Sequence, residues 1–153
     1  MNFIGIDPGK SGAYAMICTT EDGKPYGFTV HPWDDAEFVR WIQAIKDANV
    51  RTVACVEKVG AFSNQGVKSM FTFGHSLGFI EGALQACDIP YQLIPPATWK
   101  REFSLIHADK AKSIEVCKKL FPTVDLKRTD KCRKDSDGLA EAVLMAEYAR
   151  RKM

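Results

Sequence analysis

The sequence predicts an α/β protein with a mixed five-stranded sheet, three antiparallel strands followed by two parallel ones, flanked by helices. Two observations indicate this fold: short apolar segments separated by turn residues open the chain, and later apolar segments alternate with segments of helical periodicity. The chain has 153 residues, of which 46% are hydrophobic and 26% charged. This composition is typical of a globular protein, and we expect residues 1–153 to form one domain.

The first half of the chain contains four predicted strands and one helix. The strands are expected over residues 2–7, 12–19, 25–31 and 52–57. Turn signals at Pro8-Gly9 and Asp22-Gly23 favour antiparallel pairing of the first three. Asp34 is a good N-cap for a helix over 35–48. The strand 52–57 is almost entirely apolar, which predicts a central place in the sheet.

The second half is predicted to be mainly helical, with one further strand. The expected elements are a helix over 67–87, a strand over 91–94, a helical turn over 97–103, a helix over 109–120, a basic loop over 122–134 and a helix over 135–152. The helix 67–87 carries Gly74, Gly78 and Gly82 at a spacing of four residues. Glycine is costly in a helix, so we expect close packing there, against the sheet or against a partner.

Several classes of protein are disfavoured by what the sequence lacks. No apolar segment approaches the ~20 residues that span a bilayer, so we expect no membrane partner. The chain opens on a strand without a basic and apolar leader, from which we expect a protein that is not secreted. Its five cysteines include no CxxC pair, so a zinc site is not expected. We also expect no small-molecule cofactor.

Charge is distributed unevenly along the chain. Residues 1–96 contain seven Lys and Arg against ten Asp and Glu, whereas residues 97–153 contain fourteen against nine. A basic half favours a polyanionic partner. Five basic residues fall in the loop 122–134, where they could hold phosphates: Lys127, Arg128, Lys131, Arg133 and Lys134.

Two acids stand at the ends of apolar strands. Asp7 follows Phe3-Ile4-Gly5-Ile6, and Glu57 follows Val53-Ala54-Cys55-Val56. Strand alternation places each acid on the same face as the residues two and four positions before it. If these two strands are neighbours, both carboxylates emerge at one edge of the sheet.

Two more acids lie on the C-terminal helix. Glu141 points between Leu144, Met145 and Tyr148, and Asp137 lies on the same side one turn earlier. Glu147 lies further round the helix and is expected to be an ordinary acid at the surface or at the rim of the site. An unpaired carboxylate among apolar neighbours costs several kcal/mol, which metal coordination removes. Gly138 leaves space for something to approach closely.

Asp7, Glu57, Asp137 and Glu141 together predict a metal site. Carboxylate oxygens favour Mg²⁺ or Mn²⁺. Four ionised carboxylates cannot lie close together without cations between them, so we expect two ions in the site. Two such ions can clamp the attacking and leaving oxygens of an in-line phosphodiester cleavage.

The motifs around these acids resemble the RuvC-like Holliday junction resolvases of the ribonuclease H-like superfamily. The matching segments are Gly5-Ile6-Asp7-Pro8-Gly9 with Gly12, Val56-Glu57, the glycine-bearing helix, Pro95 with Trp99-Lys100, and Asp137-Gly138 with Ala140-Glu141-Ala142. The last two are most similar to the phage-type and chloroplast-type branch. Glu141 departs from the bacterial branch, which usually has Asp there, and Asp135 competes with Asp137 for the fourth ligand position.

The resemblance implies a ribonuclease H-like sheet and a homodimer that cleaves four-way DNA junctions symmetrically with Mg²⁺. It also implies a cytoplasmic or nucleoid-associated location. Lys100 is then expected to neutralise charge on the phosphate. Phe62 is the first candidate, and Phe71 the second, for an aromatic that enters the junction. Phe79 and Leu84 are expected to fill the dimer contact. Further DNA contacts are expected from Lys10, Lys58, Lys68, Lys100, Arg101, Lys131, Arg133 and Lys134.

Three other functions remain to be weighed. Another ribonuclease H-like nuclease, acting on flaps, branched DNA or RNA–DNA hybrids, would share the same acids. An actin-like or sugar-kinase ATPase also opens with a strand, an Asp and a glycine turn, but it needs two lobes and more than 153 residues. A DNA-binding module without nuclease activity would not need all four acids. The sequence therefore favours a nuclease.

Overall fold

The structure, a computed structural model, describes residues 1–9, 11–58, 60 and 66–153. Its five-stranded sheet has the order β3-β2-β1-β4-β5. The strands are β1 (Asn2–Asp7), β2 (Ala13–Thr19), β3 (Pro25–Pro32), β4 (Thr52–Glu57) and β5 (Tyr91–Ile94). β1, β2 and β3 pair antiparallel, whereas β4 pairs parallel with both β1 and β5. The predicted mixed sheet is confirmed.

Helices cover both faces of this sheet. They are α1 (Asp35–Asp47), α2 (Val67–Ala86), α3 (Pro96–Glu102), α4 (Lys110–Leu120) and α5 (Asp137–Lys152). The backbone N–H of Glu37 donates to Asp34 at 2.9 Å, which confirms the predicted cap of α1. α5 begins two residues later than predicted, so Asp135 lies outside the helix. Within the described residues, no helix is both long and apolar enough to cross a membrane.

Strand alternation divides the core into two layers. Ile4 and Ile6 of β1 pack in the layer formed with α1 and α2. Phe3 packs on the opposite face with α5. Gly5 also faces α5, and a Cβ built on it would lie less than 3.0 Å from backbone atoms of Ala142 and Ala146. The glycine therefore lets the backbone of α5 rest directly on the central strand, which places the N-terminal turn of α5 near Asp7.

α2 buries little of its apolar surface. Of its 20 residues only Ile80 and Leu84 are buried among those described. A Cβ built on Gly74, Gly78 or Gly82 meets nothing within 4 Å, so packing of these glycines against the sheet is ruled out. Leu84, expected in a dimer contact, is instead fully buried in the protomer. It faces the sheet because it follows Ile80 by one helical turn.

Glu147 is buried, contrary to the prediction that it lies at the surface or rim. Its exposed fraction is 3%, and it accepts hydrogen bonds from Arg150 and Arg151, with Nε atoms at 2.7 and 2.8 Å. Burial acts to raise the pKa of Glu147, but the two guanidinium groups hold it below its usual value. α5 is buried on almost every side, so a position on the helix away from Glu141 does not guarantee exposure.

Candidate active site

Two acids stand at the ends of adjacent parallel strands. Gly5 lies opposite Cys55 and Ile6 opposite Val56, so Asp7 and Glu57 leave the sheet side by side. Gly9, in the turn after Asp7, has a φ of 121°, which L side chains rarely adopt. Strand end and turn together hold Asp7 at the mouth of the β1–β2 connection.

Asp137 and Glu141 reach the same place from α5. All four acids line one cleft of about 1230 Å³. A Cβ on Gly138 would lie 2.5 Å from the carbonyl oxygen of Ser11 and 3.5 Å from Oδ2 of Asp7. The close approach that Gly138 permits is therefore made by the chain's own β1–β2 turn.

Lysines accompany the two acids of α5. Nζ of Lys100 lies 3.3 Å from Oε1 of Glu141, and Nζ of Lys110 lies 2.7 Å from Oδ2 of Asp137. Ser113 of α4 also donates its hydroxyl to Glu141, at 3.2 Å. Burial acts to raise the pKa of Asp137, but the hydrogen bond and charge of Lys110 hold it below its usual value.

The two strand-end acids are in a different electrostatic situation. Burial, followed by the charges of Glu57, Glu141 and Asp137, raises the pKa of Asp7 to about 8. Burial also raises the pKa of Glu57, although a hydrogen bond from Trp99 opposes this change. The negative charge around Asp7 thus exceeds what Lys100 offsets, and a cation placed there would be strongly attracted.

The residues of the cleft fit a hard metal ion. Among the described residues that line it are five carboxylates and no cysteine or histidine, which is the donor set of Mg²⁺ or Mn²⁺. The fifth, Asp109, caps α4 by accepting from the backbone N–H of Lys112 at 3.0 Å. In the part of the chain that the structure describes, no three His, Cys, Asp or Glu side chains are already arranged as ligands of a metal ion. The ammonium groups of Lys100 and Lys110 are instead the positive charges beside Glu141 and Asp137.

Asp135 lies apart from the other acids. It forms an ion pair with Lys118 of α4, and it is not among the residues that line the cleft. Asp137, one residue inside the N-cap Ser136, does line it. Geometry therefore favours Asp137 over Asp135 as the fourth acid.

The residues expected to bind DNA divide into three groups. Lys58, Lys68 and Lys100 line the cleft. Five others do not line it and are exposed: Phe71 at 75%, Arg101, Lys131, Arg133 and Lys134. Lys10 and Phe62 lie outside the described residues.

Arg128 differs from the other basic residues of the loop 122–134. Its Nη2 donates to the carbonyl oxygens of Ser11 and Gly12, and its Nε donates to Oγ of Ser136 at 3.1 Å. The guanidinium therefore joins the β1–β2 turn to the start of α5. Its Nε and Nη2 are thus used within the protein, and whether Arg128 also holds phosphates stays a prediction.

Sequence reasoning missed several residues of the site. Among them are Asp109, Lys110 and Ser113 at or near the start of α4, Phe73 of α2, and Trp99 as a hydrogen-bond donor. Lys110 follows the segment between α3 and α4, in which Ser104 and His107 have positive φ. Serine rarely adopts this conformation, so the local sequence indicates this turn only weakly. Phe73 could have been noticed as an aromatic on the glycine-bearing helix.

The sheet order and the helices define a ribonuclease H-like α/β fold. No protein-family model matches the chain, and no curated protein matches it either.

Solved structures of RuvC, however, are similar over nearly its whole length. Thermus thermophilus RuvC in complex with a Holliday junction substrate has a TM-score of 0.68 and 17% identity, covering 99% of this chain and 96% of that one. A second Thermus thermophilus RuvC structure has a TM-score of 0.62 and 20% identity, with the same coverage. Identities this low establish the fold alone, and the branch within the family stays a prediction.

Proposed function

We propose that this protein is a metal-dependent, structure-selective endonuclease that resolves four-way DNA junctions. The observation that carries the proposal is the convergence of Asp7, Glu57, Asp137 and Glu141 on one cleft. They come from two strand ends and one helix, and burial makes the charges of Asp7 and Glu57 costly unless a cation is present. The fold shared with RuvC, one structure of which holds a Holliday junction, supports the choice of substrate.

The four acids are proposed to hold Mg²⁺ after rotation of the two carboxylates that now face lysines. Two ions held there would supply Lewis acidity and a water of lowered pKa for in-line attack on the phosphodiester. Lys100 and Lys110, which now pair with Glu141 and Asp137, are proposed to turn to the phosphate and neutralise its charge. Lys58 and Lys68 line the same cleft and are proposed to hold flanking phosphates.

The test is cleavage of matched synthetic substrates in Mg²⁺. We expect a four-way junction to be cut into nicked duplexes, whereas a linear duplex of the same sequence stays mostly intact. Equal cutting of the two would contradict a resolvase. Preference for a flap or an RNA–DNA hybrid in the same assay would assign the site to another ribonuclease H-like nuclease.

The protein is also proposed to act as a homodimer through α2. Symmetric resolution needs two cuts, and this helix offers a surface for a second copy. Val67 and Phe71 are 79% and 75% exposed, and the glycine face of Gly74, Gly78 and Gly82 is open. Phe79 is half-buried, with its ring 6.3 Å from that of Phe38, so it is available only in part.

Substitution of Gly78 by leucine is expected to give a folded monomer. A Cβ at this position meets nothing within 4 Å in the protomer, and loss of a helical glycine favours the helix by up to about 1 kcal/mol. The leucine side chain would displace the backbone of a second copy packed against this face. The measurement is sedimentation equilibrium of wild type and variant over a range of concentrations.

Gly27→Leu is the control, since Gly27 on β3 also has open space around it but lies away from α2. Its oligomeric state should equal that of the wild type. A Gly78→Leu variant that remains as dimeric as the wild type would place the interface elsewhere. A wild type that is monomeric even with junction DNA would refute the homodimer.

A further inference from the structure

We propose that Trp99 is a positioning residue whose single indole group orients both Glu57 and Lys100. The inference rests on the proposed function, because it concerns the same acids. Trp99 lies on α3 and has no exposed surface. In the sequence, Trp99 stood out only as part of the motif that resembles the resolvases. Its place in the core explains why the side chain is large, but not why it contacts Glu57 and Lys100.

The first contact fixes a carboxylate. Nε1 of Trp99 donates to Oε1 of Glu57 at 2.9 Å. A buried indole N–H needs an acceptor, and here the acceptor is a strand-end acid that lines the cleft. One oxygen of Glu57 is thereby held against the protein, and Oε2 is left for a ligand. Hydrogen bonds of this kind to metal-ligating groups set their orientation.

The second contact supports a lysine. Nζ of Lys100 lies 5.1 Å from the centre of the Trp99 ring while it also pairs with Glu141 at 3.3 Å. A cation over the face of an indole is attracted by the ring quadrupole. The ring therefore keeps the ammonium group beside the cleft when Glu141 changes partner. Among natural side chains, only tryptophan combines a large ring face with an N–H donor at its edge that stays uncharged at all pH values.

Trp99→Phe separates the two contacts, because phenylalanine keeps an aromatic face and loses the donor. We expect this variant to bind Mn²⁺ about 10- to 100-fold more weakly than the wild type. Binding is measured without DNA, from the electron paramagnetic resonance signal of free Mn²⁺. Trp99→Leu also loses the face, and at saturating Mn²⁺ its kcat on a junction is expected to fall a further ~3-fold below that of Trp99→Phe.

Trp33→Phe is the matched control. Trp33 also donates its indole N–H to a carboxylate, Oδ1 of Asp35 at 2.8 Å, and neither residue lines the cleft. Its loss should leave Mn²⁺ affinity unchanged. A Trp99→Phe variant that binds Mn²⁺ as tightly as the wild type overturns the inference for Glu57, and equal kcat of the two Trp99 variants overturns it for Lys100.

A measurement on the wild type covers the case in which Trp99 variants do not fold. The ¹⁵N–¹H indole resonance of Trp99 is expected to shift on titration with Mg²⁺, while that of Trp33 does not. A Trp99 resonance that Mg²⁺ leaves unchanged, in a protein that binds the ion, refutes the inference. A wild type that binds neither Mg²⁺ nor Mn²⁺ refutes the proposed function instead.

Discussion

Replacing Asp7 by asparagine is expected to abolish junction cleavage while junction binding stays close to that of the wild type. Asparagine has nearly the shape of aspartate but lacks the charge that a metal ligand supplies. Loss of several kcal/mol of transition-state stabilisation corresponds to at least about a 10³-fold decrease in rate. The measurements are single-turnover cleavage in Mg²⁺ and a binding titration in Ca²⁺. Activity that survives would remove Asp7 from the metal site.

The same substitution should stabilise the metal-free protein. Burial and the neighbouring carboxylates raise the pKa of Asp7 to about 8, against about 4 in an unfolded chain. Between these pH values the folded state binds more protons than the unfolded state, so this residue makes stability fall as pH rises. The asparagine that replaces it does not titrate. The gain in melting temperature of Asp7→Asn should therefore be near zero at pH 4 and largest above pH 8.

Asp137→Asn provides the contrasting control for that pH dependence. Lys110 holds the pKa of Asp137 below its usual value despite burial, so its charge contributes stability at neutral pH that is lost as pH falls. The pair is partly exposed, with 85% of the Lys110 side chain accessible, and its contribution is small. This variant should not be stabilised at pH 8. Equal stabilisation of both variants would mean that the net charge of the cleft, not the site of Asp7, decides the effect.

Gly5→Ala is expected to prevent folding or to lower the free energy of unfolding by more than about 4 kcal/mol. The added Cβ would fall less than 3.0 Å from the carbonyl oxygen of Ala142 and the nitrogen of Ala146. Both are backbone atoms of a helix that is buried on almost every side, so neither can move aside. Circular dichroism and thermal unfolding measure the effect.

Gly27→Ala is the control for Gly5→Ala, because it is also a strand glycine but its Cβ would meet nothing within 4 Å. It should change stability by less than about 1 kcal/mol. A Gly5→Ala variant as stable as the wild type would show that α5 does not rest on β1 as described.

The sequence contained enough information for the sheet and for the placement of the acids. Apolar runs and turn residues identified all five strands, and strand parity placed Asp7 and Glu57 on one face. Glu141 was recognisable because an acid among apolar neighbours has a high cost in free energy. The structure shows where these acids lie, and their role as metal ligands stays a prediction.

The remaining features depend on contacts between distant segments, which no local pattern encodes. Lys110 follows a segment with non-glycine residues at positive φ and pairs with Asp137. Trp99 donates to Glu57, which lies 42 residues earlier in the chain. Glu147 was misplaced because helical periodicity gives a direction but not what lies in that direction. For the same reason, a basic composition could not show that Nε and Nη2 of Arg128 are used within the protein.

The packing of α5 on β1 determines when the candidate site becomes complete during synthesis of the chain. β1, which carries Asp7, is synthesised before the other strands and helices described above, whereas α5, which packs against it and brings Asp137 and Glu141, is synthesised after them. A nascent chain that ends at α4 therefore has only two of the four acids and an uncovered central strand. The candidate site, and any activity that depends on all four acids, is therefore complete only after α5 has been synthesised.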